Sequence, residues 1–280
     1  MEFTRKGTVA PILMLLSLTL LAGCGGETAS PTTWYPVSSI YAYMKAVQDV
    51  SGNVNTTVQL RNGPTVDATY LYLDGGDRLY SSLDISPQQY LDFNGNLFSN
   101  SLELSQRLKV MSSRDLYADY GVFTNVIFGK PEYFSVDTPN TSSSPTRVYV
   151  GFERNGQVLE SSVDLPAAFQ IVAPASGDSI SRATPVTLTW TDADPATTME
   201  LDVAGICTDN SQYNLHLILG TDTGSATLNS ADYYQGNASI NCLVAFMLQR
   251  VRTGGVSPQF AFGSFSKGIQ QRTVQFTSTP

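Results

Sequence analysis

Residues that could perform covalent chemistry are scarce in this chain. Histidine occurs once among 280 residues, at His216, and a Ser-His-Asp triad needs a histidine held between a nucleophile and an orienting acid. Alternation along residues 213–220 places His216 opposite a face of leucines, which predicts a position near solvent. The sequence contains no G-x-S-x-G nucleophile elbow, phosphate loop or dinucleotide fingerprint. We therefore expect a non-catalytic protein, with a hydrolase of unrecognised site as an alternative.

Two acidic turns are the candidate cation sites. Asp74 and Asp77 flank two glycines, and Asp192 and Asp194 flank one alanine. Carboxylate oxygens bind Ca²⁺, but the ion needs about six to eight oxygens, and neither turn supplies a full set. Acidic turns also occur for conformational reasons alone. The sequence therefore predicts no cofactor and leaves calcium at these four aspartates as the alternative.

Tyrosine is concentrated before residue 165, where eleven of the fourteen tyrosines lie. If residues 68–73 form a strand, Tyr70 and Tyr72 share one face while Leu71 and Leu73 take the other. A tyrosine ring offers an apolar face and a polar tip, which suits interfaces and sugar-binding grooves. Strand propensity alone also explains the enrichment. Tyr70 and Tyr72 are thus candidate binding residues, with half-buried strand positions as the competing interpretation.

The first 23 residues are typical of an export signal. Arg5 and Lys6 precede a nearly continuous apolar stretch over residues 9–21, and small residues follow before Cys24. The apolar stretch is shorter than the roughly 20 residues that a membrane-spanning helix needs. We therefore predict a secretory signal peptide over residues 1–23.

The motif Leu21-Ala22-Gly23-Cys24 resembles the lipobox of bacterial lipoproteins. The resemblance implies cleavage before Cys24 and a diacylglycerol thioether on its sulfur, which makes membrane lipid an expected partner. Two or three acyl chains anchor a protein far more firmly than one. Gly25 follows the cysteine, which by the same resemblance favours the outer membrane. Residues 24–33 are small and polar, a composition that predicts a flexible tether.

With Cys24 committed to lipid, Cys207 and Cys242 are the remaining cysteines. In an exported protein an even remainder is typical of one disulfide. Alternation along residues 199–207 and 240–248 points both sulfurs toward an apolar layer. A metal-binding pair and two free thiols are the alternatives, although two cysteines with one distant histidine make a poor zinc site.

Composition restricts the partners. The net charge is −8 and the sequence pI is about 4.6, whereas a protein that grips phosphates needs clustered Lys and Arg. No such cluster occurs, so nucleic acid is not an expected partner. Charged residues make up only 14% of the chain. Low charge with many β-branched and aromatic residues favours an exported β-sheet protein.

The elements that position these residues are predicted to be mostly strands. Three Asn-Gly pairs, each typical of a type I′ hairpin turn, separate β-prone runs at residues 62–63, 94–95 and 155–156. Residues 41–50 fit either a helix face, with Ile40, Met44 and Val47 on one side, or a strand. We favour the strand, which a turn at 51–53 joins to the next run. We expect residues 34–164 to form an N-terminal β-rich domain.

Residues 165–280 contain about seven strand-like runs with turn signals between them, which predicts a Greek-key sandwich. Trp190 ends the second run, and we expect it near the disulfide. This architecture resembles immunoglobulin-like and fibronectin type III domains. Trp190 precedes both cysteines, however, whereas in antibody domains the tryptophan lies between them.

Together these features predict an all-β protein with two β-sandwich-like domains in tandem, after a signal peptide and a flexible tether. We expect an exported lipoprotein, anchored to the outer membrane, that binds another envelope protein or a polysaccharide through its surface. A glycan-binding lipoprotein that uses tyrosine platforms is the first alternative. An envelope hydrolase is the second.

Overall fold

Strands make up almost all of the regular structure. The computed structural model describes residues 29–65, 67–83, 89–91, 132–134, 138–140 and 146–280, and these contain eighteen strands, two 3-10 helices and one short α-helix. This content confirms the prediction of an all-β protein.

The N-terminal region is built mainly from antiparallel pairs, such as β2 with β3 and β9 with β10. Its 3-10 helices span Thr32–Trp34 and Val37–Ser39. Its strands are β1 Ser30–Pro31, β2 Tyr41–Gln48, β3 Asn53–Arg61, β4 Leu71–Tyr72, β5 Arg78–Leu83, β6 Gln89–Leu91, β7 Tyr133–Phe134, β8 Thr138–Pro139, β9 Arg147–Arg154 and β10 Gln157–Asp164.

The C-terminal region contains the longest strands and the α-helix, α1, at Ser230–Tyr233. Its strands are β11 Ile171–Ala173, β12 Ser179–Ser181, β13 Val186–Trp190, β14 Thr198–Cys207, β15 Gln212–Thr221, β16 Ser225–Leu228, β17 Cys242–Gly254 and β18 Phe265–Thr279. All seven predicted runs of this region therefore form strands, and the short β12 is an addition.

One central sheet runs through both regions. Its strand order is β15-β14-β17-β18-β2-β3-β7, with β12 also paired to β18 and β8 to β3. The link between the regions is the parallel pairing of β18 with β2, which sets Phe265 opposite Tyr43 and Gln270 opposite Gln48. Strands from near the two ends of the described chain thus lie side by side.

Two smaller sheets pack on the same face of the central sheet, termed the inner face here. Ser266 and Phe276 share a face of β18, because they are an even number of residues apart. Met44 of the N-terminal core lies opposite Ser266, and Val244 of the C-terminal core lies opposite Phe276. The sheet β10-β9-β5-β6 contributes to the first core and the sheet β11-β13-β16 to the second.

The opposite face of the central sheet, the outer face, is exposed or half-buried along most of β14, β17 and β18. In the C-terminal region, the sheets β11-β13-β16 and β15-β14-β17-β18 enclose one apolar core. Two antiparallel sheets packed in this way form a sandwich like that of immunoglobulin-like domains. The sandwich predicted for this region is therefore confirmed.

The predicted tether is too long at its C-terminal end. Ser30 and Pro31 pair with β4, and Thr32 is fully buried and donates a 2.6 Å hydrogen bond to Asp77. This buried bond fixes residues 30–33, which sequence composition alone assigned to a flexible segment. Residues 1–28 lie outside the described part of the chain.

The domain boundary at residues 164–165 stays a prediction. The two regions have separate cores, yet they share the central sheet. Leu165, predicted to open the second domain, is buried with Val148 and Val163 of the first. The buried apolar cluster of the first region thus includes one residue beyond the predicted boundary.

Of the three predicted Asn-Gly turns, the one at 155–156 is confirmed. Asn155 and Gly156 have φ angles of 52° and 74° and join β9 to β10, as a type I′ turn requires. The turn at 62–63 is wrong, since neither residue is among those with positive φ. Pro64 follows directly, and proline has no N–H to donate to a strand ladder. The two segments on either side of this loop pair at the bridge between Arg61 and Tyr70. Residues 94–95 lie outside the described residues.

A glycine in β9 is required by a ring that lies on it. Tyr80 of β5 is the cross-strand neighbour of Gly151, and a Cβ added to Gly151 would lie 1.9 Å from Cζ of Tyr80. Gly151→Ala is therefore expected to lower the free energy of unfolding by about 1–3 kcal/mol through overpacking, measured by urea unfolding. Gly255→Ala is the control, because no atom lies within 4 Å of its added Cβ. It should change stability by no more than about 0.5 kcal/mol, and equal effects of the two would contradict the packing argument.

Candidate binding surface

The outer face presents a group of aromatic rings around one guanidinium. This aromatic–arginine cluster consists of Tyr43 on β2, Phe265 on β18, Arg61 on β3 and Tyr70 just before β4. The register brings the strands together, with Tyr43 opposite Phe265 and Arg61 bridged to Tyr70. Parallel pairing of β2 with β18 is thus what creates the cluster.

The rings and the guanidinium are in direct contact. The ring centroids of Tyr43 and Phe265 are 4.9 Å apart, with the planes tilted by 51°. Cζ of Arg61 lies 5.1 Å from the centroid of Tyr43 and 4.5 Å from that of Tyr70. Both distances are within the range of cation–π attraction, about 6 Å. Arg61 therefore covers ring surface that would otherwise be open to a ligand.

Hydrogen bonds fix the orientation of Arg61. Its Nη2 donates to the Tyr70 hydroxyl at 2.9 Å and to Oε1 of Gln59 at 3.0 Å. Gln59 in turn donates from Nε2 to Oε1 of Glu132 at 3.0 Å. Partial burial raises the pKa of the Tyr43 phenol, an effect that Arg61 partly offsets. The phenol is therefore neutral at physiological pH, and it donates to the Gly63 carbonyl at 3.3 Å.

Apolar side chains are also exposed on the outer face, at the far end of β14. Ile206 and Leu243 lie directly opposite each other on β14 and β17, and each is about half exposed, at 53% and 52%. Apolar area that remains in water favours association with a partner that covers it. The outer face thus combines aromatic, cationic and aliphatic groups.

His216 occupies the exposed position that the sequence predicted. Its Nδ1 lies 2.6 Å from Oδ1 of Asp202, and Nε2 of Gln249 donates to Oδ2 of the same carboxylate at 2.6 Å. On the other side of β14, Asp202 lies opposite Met247 of β17. The His216–Asp202 pair is therefore a surface contact between neighbouring strands.

The proposed platform of Tyr70 and Tyr72 is wrong in its first member. Tyr70 is only 7% exposed, since Arg61 lies on its ring and binds its hydroxyl. Tyr72 is half-buried, while Leu71 and Leu73 are fully buried, as the predicted alternation requires. A glycan could not stack on Tyr70 without displacing the guanidinium.

The acidic turn at Asp74 and Asp77 serves the fold. Asp77 is buried, and Nε and Nη2 of Arg154 both donate to its carboxylate. Nη1 of Arg154 also donates to the carbonyl of Tyr35 at 2.8 Å. Asp74 accepts a weaker bond from Thr33, at 3.3 Å. The turn therefore holds the start of the folded chain through an ion pair, which takes up the carboxylate that calcium would need.

The second acidic turn likewise has other partners. Asp194 forms a 2.7 Å ion pair with Arg252 and accepts a bond from the Ala196 N–H. Asp192 has a positive φ of 54°, and its carbonyl accepts from Arg250 at 2.8 Å. Across the residues that the structure describes, no group of three or more His, Cys, Asp or Glu side chains is placed to hold a metal. Asp77 and Asp194 therefore each have an arginine partner.

A buried ion pair, Arg250–Asp222, lies between the two cores, and its position is termed the seam here. Arg250 and Asp222 have side chains with no exposed area, and Nε of Arg250 lies 2.7 Å from Oδ2 of Asp222. Asp222 also accepts from the indole N–H of Trp190 at 2.6 Å. Arg250 and Arg272 both lie against the ring of Phe169, in the segment that connects the two regions. These contacts fix the connecting segment against the inner face.

The disulfide is formed as predicted. Cys207 and Cys242 are bonded and lie directly opposite each other on β14 and β17, both buried. It links two strands of one sheet rather than two sheets. The predicted proximity to Trp190 is wrong. Trp190 donates to Asp222, which is paired with Arg250. Arg250 lies opposite Met199, and Met199 is eight residues along β14 from Cys207. At about 3.3 Å per residue, this separation is about 26 Å.

Comparison with known proteins assigns no family. No family model matches the chain, and no curated protein matches it. The FN1–FN3 domains of chicken CNTN1 are similar over 90% of this chain and 69% of theirs, at 8% identity and a TM-score of 0.27. Trypsin-activated alpha-2-macroglobulin from Escherichia coli is similar over 89% of this chain and 17% of its own, at 8% identity and a TM-score of 0.23. Scores this low support no conclusion on fold family or function.

The lipid-attachment residue of the sequence prediction, Cys24, lies outside the described residues, so the anchor stays a prediction. Among the described residues, no helix is long and apolar enough to cross a membrane.

Sequence reasoning missed the aromatic–arginine cluster and the seam. No local pattern pairs Tyr43 with Phe265, since more than 200 residues separate them. The seam did have a signal, because Arg250 shares the inward phase of Val244, Phe246 and Leu248. A charged residue in an apolar phase indicates a buried ion pair, since an unpaired charge is costly there.

Proposed function

We propose that this protein is a lipid-anchored, non-catalytic module of the bacterial envelope that binds another envelope protein through the outer face of its central sheet. The observation that supports the proposal is the aromatic–arginine cluster on that face, together with the exposed pair Ile206 and Leu243. Tyrosine and arginine are enriched among the residues that contribute most to protein–protein binding.

The geometry of the cluster favours a protein over a glycan. A sugar ring stacks on an open aromatic face, whereas Arg61 lies on the rings of both Tyr43 and Tyr70. Tyr43 and Phe265 are tilted by 51° and therefore form no single flat platform. A protein surface can instead meet ring edges and a guanidinium together, as interface cores commonly do.

The buried ionic groups support a non-catalytic role. In each of the Asp77–Arg154 and Asp222–Arg250 pairs, the arginine binds its aspartate and also donates to backbone carbonyls of neighbouring segments. Their charges are therefore used to hold the chain in place. The surface pair His216–Asp202 joins two neighbouring strands on the outer face.

Lipidation at Cys24 would keep this unit close to the membrane. Because β1 begins at Ser30, the residues from 24 to 29 can span no more than about 20 Å when fully extended. A short connection of this kind would keep the N-terminal end of the folded unit near the lipid headgroups.

Site-specific photo-crosslinking in membranes of the native host tests the proposal. A photoreactive residue in place of Thr273, exposed on the outer face of β18, should cross-link one protein that mass spectrometry can identify. The matched control is the same residue in place of Thr187, which is exposed on β13 of the smaller sheet. Arg61→Ala should reduce the Thr273 product severalfold, and Cys24→Ser should move the protein to the soluble fraction.

Three outcomes would contradict the proposal. Equal cross-linking from both positions would show that the outer face has no special role. A product that consists of polysaccharide would favour the glycan alternative. Unchanged membrane attachment of Cys24→Ser would remove the lipid anchor.

A further inference from the structure

The central sheet ends in a long strand, β15, whose outer edge no described strand covers. β15 is the terminal strand in the sheet order, and its one partner among the described residues is β14. Its ten residues, Gln212–Thr221, include no Lys, Arg, Asp, Glu or Pro. Natural proteins commonly protect such an edge with charges, prolines, bulges or short strands, since free N–H and C=O groups attract another strand.

The other sheet ends in the described chain are protected in these ways. β10 carries Glu160 and Asp164. β11 has three residues and an irregular register, β16 has four residues, and β7 has two. Over residues 212–218, before its bulge at Leu219, β15 has none of these protections and therefore stands out within this molecule.

The backbone groups that face away from β14 can be assigned from the register. The Cys207 N–H donates to the Ser211 carbonyl at 2.9 Å, so that pair is hydrogen-bonded, and bonded pairs alternate along an antiparallel ladder. The free groups therefore belong to Gln212, Asn214, His216 and Ile218. The side chains of these four residues are all exposed, and Ile218 is 72% exposed. The one irregularity of the ladder lies beyond them, at Leu219 of β15, which has no partner because Met199 pairs with Gly220 and Glu200 with Ile218.

We infer that β15 pairs antiparallel with β15 of a second copy of this chain. If Gln212 pairs with Ile218 of the second copy and Asn214 with His216, all four residues exchange two hydrogen bonds each, which makes eight bonds across four pairs. The symmetry axis then passes beside Leu215. A two-fold contact of this kind is closed, so it produces a dimer and no fibre.

The side chains fit a second copy in this register. On the inner face Leu215 lies against its own copy and Tyr213 against Leu217, so the row of apolar residues that packs on the C-terminal core continues across the contact. On the outer face His216 lies opposite an asparagine, and no two charged groups are opposed. The contact uses the edge of the sheet, so it is independent of the partner proposed for the outer face.

The test is the mass of the full chain in a density-matched detergent, measured by sedimentation equilibrium. The wild type is expected at twice the chain mass. Asn214→Lys with His216→Lys should be monomeric at the same concentration, because lysines of the two copies would oppose each other in two pairs, and opposed like charges weaken association about tenfold or more. The lysine at position 216 can still pair with Asp202, so the fold should be retained, as circular dichroism would show.

A charge-reversed variant tests the register itself. Asn214→Glu with His216→Lys would oppose glutamate to lysine across the contact, and this variant should again have twice the chain mass. A monomeric wild type, a dimeric double-lysine variant or a monomeric glutamate–lysine variant would each overturn the inference. Recovery of the wild type with a strand of a different protein on this edge would also overturn it.

Discussion

Arg250→Ala is expected to lower the free energy of unfolding by about 3–5 kcal/mol, the usual cost of removing one partner of a buried ion pair. Arg250 and Asp222 are fully buried, so the remaining carboxylate would have no solvent to compensate for the lost charge. The substitution also leaves three carbonyls without their donor, those of Ala167, Thr191 and Asp192. Urea unfolding followed by tryptophan fluorescence measures the change directly, since Trp190 binds Asp222.

The matched control is Arg252→Ala, two residues further along the same strand. Arg252 forms a 2.7 Å ion pair with Asp194, but the two side chains are 28% and 23% exposed. Pairs that water can reach contribute about 0–1 kcal/mol, so the control should be nearly as stable as the wild type. Similar losses in the two variants would show that burial of Arg250 has no special effect, and the seam would lose its assigned role.

Replacing both disulfide cysteines, Cys207→Ala with Cys242→Ala, is expected to lower the free energy of unfolding by about 3–4 kcal/mol. The two cysteines are 35 residues apart, and a crosslink that closes a loop of this size restricts the unfolded chain by about that much in the chain-entropy model. Urea unfolding under non-reducing conditions measures the effect. Wild type unfolded in the presence of a reductant should show a similar loss.

The neighbouring cross-strand pair provides the control for the disulfide. Ile206 and Leu243 are next to the two cysteines on the same strands, but their side chains are exposed. Ile206→Ala with Leu243→Ala removes contacts on the outer face without a crosslink and should cost less than about 1 kcal/mol. A cysteine double variant as stable as this control would contradict the assignment of the disulfide as a main source of stability.

The candidate surface was only partly predictable from sequence. Tyrosine enrichment before residue 165 pointed to the right region, but it selected Tyr70, which Arg61 covers. Tyr43 and Phe265 form the half-buried part of the cluster, and they meet only because β2 lies beside β18. The acidic turns were read correctly as turns, whereas the arginines that occupy Asp77 and Asp194 come from distant strands.

By itself the sequence determined what depends on local alternation and turn chemistry. It predicted the strands of the C-terminal region, the turn at 155–156, the inward phase of Cys207 and Cys242, and the exposure of His216, because strand geometry fixes which neighbours share a face. Only the tertiary structure decided that β2 joins β18 in one central sheet and that Arg250 meets Asp222 at the seam. These contacts join residues far apart in the chain, and the free energy that selects them comes from burial and pairing across the whole fold, which no local pattern contains.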